Sequence, residues 1–130
     1  MKVFIADDSE IVRKHLVAML SEMEGVEIAG QAEDSREAVD SISRSKPDVV
    51  VLDIRMPGGG GIQALELIKK AMPQMIVIML TNYPEPQYRQ KCLQAGAEYF
   101  FDKSTEFEKV REVLSGFIAY KGANHAAWNQ

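Results

Sequence analysis

Five short apolar runs alternate along the chain with segments in which apolar residues recur three and four positions apart. Each run has the length of a β-strand and is rich in β-branched or aromatic residues, whereas the segments between them have the spacing of amphipathic helices. No internal repeat or Gly/Ser-rich linker separates these elements. Strands that alternate with helices form a parallel sheet with helices on both faces, so the sequence predicts an α/β, doubly wound fold. The five runs are residues 3–6, 26–29, 49–52, 75–80 and 99–101.

The polarity of these runs predicts the order of the strands. The first, third and fourth runs are apolar throughout, as strands covered on both faces are, whereas Glu27 interrupts the second run and Asp102 follows the fifth. The second and fifth strands are therefore expected at the edges of a three-layer structure. The order 2-1-3-4-5 satisfies this and the rule of right-handed crossovers. It places a topological switch point between strands one and three, where ligands bind at the carboxyl ends of such sheets.

Capping residues and prolines predict where the helices begin and end. The two prolines of residues 83–86 disfavour helix at the residue before each, so the fourth helix is expected to begin near Pro86 or Gln87. Gly122 follows the last helical stretch and is expected to end it. The predicted N-terminal caps are Ser9 or Asp8 for the first helix, Asp34 with Glu37 for the second, and Thr105 with Glu108 for the last.

Length, charge and cysteine content narrow the class of protein. The 130 residues suit one domain, and 15 Lys plus Arg stand against 19 Asp plus Glu without a basic run, so nucleic-acid binding is not expected. The N-terminus lacks the apolar region of a signal peptide, and residues 75–80 are too few to span a bilayer. A cytoplasmic location without a membrane partner is expected. Cys92 is the single cysteine, which excludes an internal disulfide and a cluster of thiolates.

Polar side chains follow four strands of the predicted sheet. Asp7 and Asp8 follow the first strand, Asp53 the third, Thr81 the fourth and Lys103 the fifth, so all five are expected at one edge. Three clustered carboxylates repel one another unless a proton or a cation intervenes, and oxygen ligands alone suit Mg²⁺ better than Zn²⁺. A magnesium site beside a hydroxyl and an ammonium can receive a phosphoryl group, because the two cations offset charge on its oxygens. Asp53 is the candidate nucleophile.

Each of these residues alone also has an ordinary structural interpretation. Acidic pairs such as Asp7 and Asp8 often cap helices, and Asp53 could be a turn residue. A β-branched Thr81 needs no function at the end of a strand, and Lys103 could be a solvated head on a buried stem. Their joint placement favours the functional interpretation.

Several of these residues lie in motifs that resemble those of bacterial response-regulator receiver domains. The motifs are Asp7-Asp8, the stretch 46–57 that contains Asp53, Thr81, and Gly96-Ala97 running to Lys103. The resemblance covers residues 1–121 and implies a flavodoxin-like fold like that of the chemotaxis regulators. Residues 122–130 are then a C-terminal tail or the start of a linker.

The resemblance implies a phosphorylation-activated switch of a two-component phosphorelay. Asp53 would attack a phosphohistidine on a sensor histidine kinase or phosphotransfer protein and form an aspartyl phosphate. Mg²⁺ would be bound by Asp8, Asp53 and the backbone carbonyl of Arg55, with Asp7 holding a coordinated water. Lys103 would pair with Asp53 at rest and with the phosphoryl oxygens afterwards. Such a domain is expected to act on itself, through phosphorylation and slow autodephosphorylation, and is not expected to be an enzyme.

The resemblance also implies a switch and a tuning pair. Thr81 would donate its hydroxyl to a phosphoryl oxygen, and Phe100 would rotate into the vacated space. Asn82 stands where a small residue is common and could narrow access to the phosphoryl group. Arg55 and Tyr83 occupy the variable positions that tune the lifetime of the acyl phosphate, and we expect them to lengthen it.

Three other functions stay open at this point. The chain could be the receiver half of a transcription factor whose DNA-binding half is absent here. A magnesium-dependent phosphatase is disfavoured because Arg55 stands where such enzymes place a general acid, two residues after the nucleophile. A scaffold that works without phosphorylation is disfavoured because all the residues expected for phosphorylation are present, namely Asp7, Asp8, Asp53, Thr81 and Lys103. The kinase, the output partner and a phosphorylation-dependent homodimer are left undecided by the sequence.

Overall fold

A computed structural model describes the backbone of residues 1–128 and the side chains of residues 1–120. Five parallel strands form one sheet in the order β2-β1-β3-β4-β5, which confirms the predicted order and the α/β fold. The strands are β1 (Lys2–Ala6), β2 (Glu27–Ala32), β3 (Val49–Leu52), β4 (Ile76–Thr81) and β5 (Tyr99–Asp102). The helices are α1 (Glu10–Ser21), α2 (Ser35–Ser45), α3 (Gly61–Ala71), α4 (Pro86–Gln94) and α5 (Lys109–Trp128).

Two apolar cores lie on opposite faces of the sheet. Because side chains alternate across a strand, Val50 and Leu52 of β3 pack on the face covered by α2, α3 and α4, while Val49 and Val51 pack on the face covered by α1 and α5. All four of these residues are buried, as expected for a central parallel strand. The three-layer structure therefore leaves the ends of the strands, not their faces, available to ligands.

The edge strands are also those predicted from their polarity. Glu27 is exposed at the start of β2, which pairs only with β1. β2 extends beyond the predicted residues 26–29 because Gly30, Gln31 and Ala32 continue the pairing with β1 after a register shift. Lys103 lies just past β5, whose last residue, Asp102, pairs with Thr81 of β4.

The predicted starts of the first, second and fourth helices are confirmed. Ser9 caps α1 by accepting a hydrogen bond from the N–H of Val12 at 3.3 Å, and Asp34 caps α2 by accepting one from Glu37 at 2.7 Å. α4 begins at Pro86, as the two prolines require. Within the part of the chain that the structure describes, no helix combines the length and the apolar character of a membrane span.

Two predictions about the last helix are wrong. α5 begins at Lys109, so Thr105 with Glu108 does not form its cap. Residues 103–105 form a turn after β5, and the carboxylate of Glu106 accepts the N–H of Asp102 at 3.1 Å. The helix also continues through Gly122 to Trp128, because a glycine lowers the stability of a helix but does not have to end it. The last two residues of the predicted tail, 129 and 130, lie outside the described residues.

Candidate functional site

The sheet fixes the backbone of the acidic residues. The N–H of Asp7 donates to the carbonyl of Ala32 at 3.0 Å, and the N–H of Asp53 donates to the carbonyl of Ala6 at 3.0 Å. Both residues therefore continue the ladders of β1 and β3 by one position beyond the strands. Their side chains leave the sheet at the switch point that the strand order predicts.

Three carboxylates converge at this edge. Asp7, Asp8 and Asp53 each offer an oxygen, and these oxygens lie within 4.8 Å of one another. Asp7 and Asp53 are buried, at 2% and 4% exposure, whereas Asp8 is exposed to solvent. The predicted acidic cluster is thus present, with one open side.

Lys103 lies between the two buried carboxylates. Its Nζ is 2.6 Å from Oδ2 of Asp7 and 3.1 Å from Oδ2 of Asp53, and its side chain is 8% exposed. The backbone N–H of Lys103 donates to the carbonyl of Thr81 at 2.8 Å, which aligns the end of β5 with β4. The pairing with Asp53 agrees with the sequence-based expectation, but the shorter contact with Asp7 was not predicted. This contact could have been predicted, because Asp7 and Lys103 each follow a strand of the same sheet and were both expected at the same edge.

Burial and charge shift the protonation of this cluster. Burial raises the pKa of Asp53 above 3.8, and the neighbouring charge of Asp7 raises it further, while Lys103 and the N–H of Ile54 act against the increase. Burial also acts to lower the pKa of Lys103, but its hydrogen bond to Asp7 and the charge of Asp53 outweigh this and raise that pKa above 10.5. Lys103 is therefore a firmly protonated cation beside a carboxylate that burial destabilises.

Asp7 is fixed by its own loop and by α1. Oδ1 of its carboxylate accepts the N–H of Ser9 at 2.9 Å, and its backbone carbonyl accepts a hydrogen bond from Nη1 of Arg13 at 2.6 Å. Since Oδ2 contacts Lys103, both carboxylate oxygens are occupied by donors. Asp8, which follows, stays free to face solvent.

The glycine-rich stretch after β3 sets the position of Asp53. A Cβ on Gly61 would lie 2.7 Å from the carbonyl carbon of Asp53, so only glycine fits where α3 begins. The three preceding glycines have positive φ, and the buried hydroxyl of Ser35 donates to the carbonyl of Gly60 at 2.8 Å. This hydrogen bond anchors the stretch to α2. Neither Gly61 nor Ser35 was predicted to support the site.

A small cavity opens beside Asp53. It has a volume of about 140 Å³, and its lining includes Asp8, Asp53, Arg55, Asn82 and Lys103. Its size suits a group of a few atoms rather than an extended ligand. Asn82, which was expected to narrow the access, is exposed on its wall.

Thr81 and Phe100 lie behind this cavity and do not form its wall. Thr81 is fully buried at the end of β4, and its Oγ1 accepts the N–H of Tyr83 at 3.0 Å. Phe100 is 4% exposed within the core beneath α4, with the guanidinium of Arg89 5.8 Å from its ring centroid. Nη1 of Arg89 donates to the carbonyl of Phe100 at 3.3 Å.

The expected tuning pair is in direct contact at the mouth of the cavity. The guanidinium carbon of Arg55 lies 4.0 Å from the centroid of the Tyr83 ring, which is the geometry of a cation–π interaction. Nη2 of Arg55 also donates to the hydroxyl of Tyr88 at 3.3 Å. Tyr88 was not among the site residues predicted from the sequence.

Comparison with known proteins identifies the family to which a chain with this fold and this acidic site belongs. Residues 3–115 match the family described as the response regulator receiver domain. The chain belongs to this family of two-component signalling domains.

The relatives and a solved structure agree with this assignment. The response regulator GacA of Pseudomonas aeruginosa is 32% identical over 120 residues, and the matched region covers 89% of this chain and 56% of GacA. The uncharacterized transcriptional regulatory protein YhcZ of Bacillus subtilis is 38% identical over 119 residues, with the same coverage of 89% and 56%. The CheX–CheY–BeF₃–Mg²⁺ complex from Borrelia burgdorferi matches with a TM-score of 0.83 and 34% identity, covering 90% of this chain and 89% of that one. The chain therefore spans about half the length of the curated relatives that it matches.

Proposed function

We propose that this receiver domain accepts a phosphoryl group on Asp53, in the presence of Mg²⁺, from a sensor histidine kinase or a phosphotransfer protein. The observation that carries the proposal is the buried carboxylate of Asp53, which contacts Lys103 and clusters with two further carboxylates at the wall of a small cavity. In the transfer, an Asp53 oxygen forms a bond to phosphorus while the bond between phosphorus and the histidine nitrogen of the donor breaks. The donor imidazole is the leaving group.

The donor set of the cluster fits Mg²⁺. All three side chains offer oxygen, and three carboxylates stand against the single ammonium of Lys103, so excess negative charge remains for a cation. Asp8 and Asp53 would bind the ion with the backbone carbonyl of Arg55, and Asp7 would orient a water on it. When bound, the ion would neutralise negative charge on the phosphoryl oxygens. Lys103 would supply the second positive charge from the opposite side.

Thr81 and Phe100 are the proposed switch. The Thr81 hydroxyl accepts the N–H of Tyr83 and still has its own proton to donate to a phosphoryl oxygen. Such a bond would draw the loop of residues 82–85 inward. Because Phe100 is already buried, we assign the main movement to this loop, with the Phe100 ring adjusting within the core.

We propose that the chain acts only on itself. Arg55 lies two residues after Asp53 and brings a guanidinium, not an acid, to the cavity wall. A guanidinium stays protonated near neutral pH, so it can neither protonate a leaving group nor take a proton from an attacking water. Hydrolysis of the aspartyl phosphate should therefore be slow, and turnover of small phosphate esters should be poor.

The proposal is tested by intact mass after incubation with a small acyl-phosphate donor. One added phosphoryl group is expected with Mg²⁺ and none without it. Asp53→Asn should stay unmodified, whereas Asp40→Asn, which changes an exposed acid on α2, should be modified like the native chain. If no adduct forms in any condition although Mg²⁺ binds, the chain is a scaffold that works without phosphorylation.

A second proposal concerns the output. The matched relatives are about twice as long as the matched region, and one is described as a transcriptional regulatory protein. We propose that this receiver controls a DNA-binding part outside the present sequence. The mass of the protein in its native extract tests this, because a fused output domain would add well over half again to the 14.5 kDa of this chain. A native mass of 14.5 kDa would instead require a separate output partner, and sedimentation with and without the phosphoryl donor would show whether that partner is a second copy.

A further inference from the structure

Three side chains from separate segments meet at the mouth of the acceptor cavity. Arg55 comes from the loop after β3, Tyr83 from the loop after β4, and Tyr88 from the first turn of α4. The guanidinium of Arg55 lies over the Tyr83 ring at 4.0 Å and donates to the Tyr88 hydroxyl at 3.3 Å. Arg55 and Tyr83 line the cavity, whereas Tyr88 reaches it only through Arg55.

We propose that Tyr88 is a positioning residue that holds Arg55 across the cavity mouth and thereby slows hydrolysis of the phosphorylated Asp53. The inference rests on the proposed function, since it concerns the lifetime of the aspartyl phosphate. It adds a residue of α4 to the pair expected from the sequence.

The exposed side chain of Arg55 is long and can adopt many conformations. Stacking on Tyr83 fixes the distance of the guanidinium from the ring but leaves it free to turn and slide over the ring face. A directional hydrogen bond to the Tyr88 hydroxyl removes that freedom. Tyr83 and Tyr88 are half-buried, so neighbouring residues restrict both rings, whereas the side chain of Arg55 is exposed.

Both partners of Arg55 are neutral, which leaves its charge available. Among the side chains of residues 1–120, no carboxylate forms an ion pair with Arg55. A phosphoryl group on Asp53 would therefore face a guanidinium that is not held in an ion pair with a carboxylate. The guanidinium would attract the phosphoryl oxygens and cover the phosphorus atom from the solvent side.

Hydrolysis is the step that this cover slows. Water forms a bond to phosphorus, the bond between phosphorus and the Asp53 oxygen breaks, and the proton of the attacking water passes to solvent or to the inorganic phosphate released. The attacking water must approach opposite the Asp53 oxygen, through the mouth of the cavity. A guanidinium fixed there obstructs that approach, whereas a mobile one does so only part of the time.

The test compares the lifetime of the phosphorylated state in Tyr88→Phe and in the native chain. Each protein is phosphorylated, the donor is removed, and loss of the phosphoryl group is timed by intact mass. Tyr88→Phe keeps the ring and removes the hydroxyl, and loss is expected to be about fivefold faster. Tyr120→Phe removes a hydroxyl from an exposed ring on α5 and should keep the native lifetime. Equal thermal midpoints for the three proteins would show that folding is not the cause.

A double substitution separates positioning from a general effect on α4. If Tyr88 acts through Arg55, adding Tyr88→Phe to Arg55→Ala should shorten the lifetime no further. Equal lifetimes for Tyr88→Phe and the native chain, or full effects of Tyr88→Phe in both backgrounds, would overturn the inference. Failure of the native chain to form any adduct would instead refute the proposed function, which is a separate outcome.

Discussion

The central residue-scale feature is a buried cluster of charges that is not fully compensated. Lys103 contacts Asp7 and Asp53, so one ammonium faces two buried carboxylates. Burial of an ionised carboxylate is unfavourable unless partners replace its water, and the raised pKa of Asp53 reflects this. The buried carboxylate of Asp53 thus lowers the stability of the fold, but it stays available to bind a cation and to attack phosphorus.

Replacing Asp53 by Asn should therefore stabilise the metal-free protein. Since the folded pKa of Asp53 lies above 3.8, its contribution to stability is greatest at low pH and is lost as pH rises through the folded value. Asp53→Asn should match the native chain near pH 3 and exceed it at pH 7 by about 1 kcal/mol. Urea unfolding at several pH values measures this, with Asp40→Asn as the control. A less stable Asp53→Asn at pH 7 would contradict this account.

Replacing both Arg55 and Tyr83 by alanine should shorten the phosphorylated state. The double variant removes the stacked pair that lies at the mouth of the cavity, so water reaches the aspartyl phosphate more freely. We expect loss of phosphate about tenfold faster, a change worth about 1.4 kcal/mol in the barrier. Timed intact mass measures it, and Arg44→Ala on the exposed side of α2 is the control. An unchanged lifetime would refute the tuning role.

At the scale of elements, the ends of the strands were predictable and the loop between β3 and α3 was not. Asp7, Asp53 and Lys103 were placed correctly at one edge because hydrophobic patterning alone fixes which residue follows each strand. The support of Asp53 by Gly61 and Ser35 depends on backbone torsions in a run of glycines, which patterning does not determine. The missed contacts of Lys103 with Asp7 and of Arg55 with Tyr88 depend on side-chain torsions.

A pair of glycine substitutions tests the close packing of this loop. Gly61→Ala would push its Cβ against the backbone of Asp53 and Ile54, so we expect a loss of about 2 kcal/mol in the free energy of unfolding. Phosphorylation of that variant should also be slower, since the end of β3 must shift. In Gly116→Ala on α5, the added Cβ meets no atom within 4 Å apart from its chain neighbours and the backbone of its own helix. This change should instead stabilise the helix by about 0.5–1 kcal/mol. Urea unfolding compares the two, and equal effects would argue against a special role for Gly61.

At the scale of the whole molecule, α4 connects the acceptor site to the far edge of the sheet. Tyr88 contacts Arg55 at the site, and the adjacent Arg89 donates to the carbonyl of Phe100 on β5. We therefore expect a change at the site to reach the edge strand through α4. By contrast, α2 touches the site only through the anchored loop after β3.

Phosphorylation should accordingly alter amide hydrogen exchange unevenly. The loop of residues 82–85, α4 and β5 should change protection, because Thr81 and Arg55 would rearrange around the phosphoryl group. The body of α2 should keep its protection, since none of its hydrogen bonds involves the site. Mass-spectrometric exchange with and without the donor measures this, and Asp53→Asn treated alike should show no change. Uniform changes across the sheet would contradict a switch centred on α4.

The most direct test of the account identifies the residue that carries the phosphoryl group. An aspartyl phosphate is reduced by borohydride to homoserine, so the modified position can be read from peptide masses after treatment of the phosphorylated protein. The account predicts homoserine at position 53, dependent on Mg²⁺, with Asp7 and Asp8 unaltered. Homoserine at Asp7 or Asp8, or a stable phosphoryl group that borohydride leaves in place, would contradict the assignment of Asp53 as the acceptor.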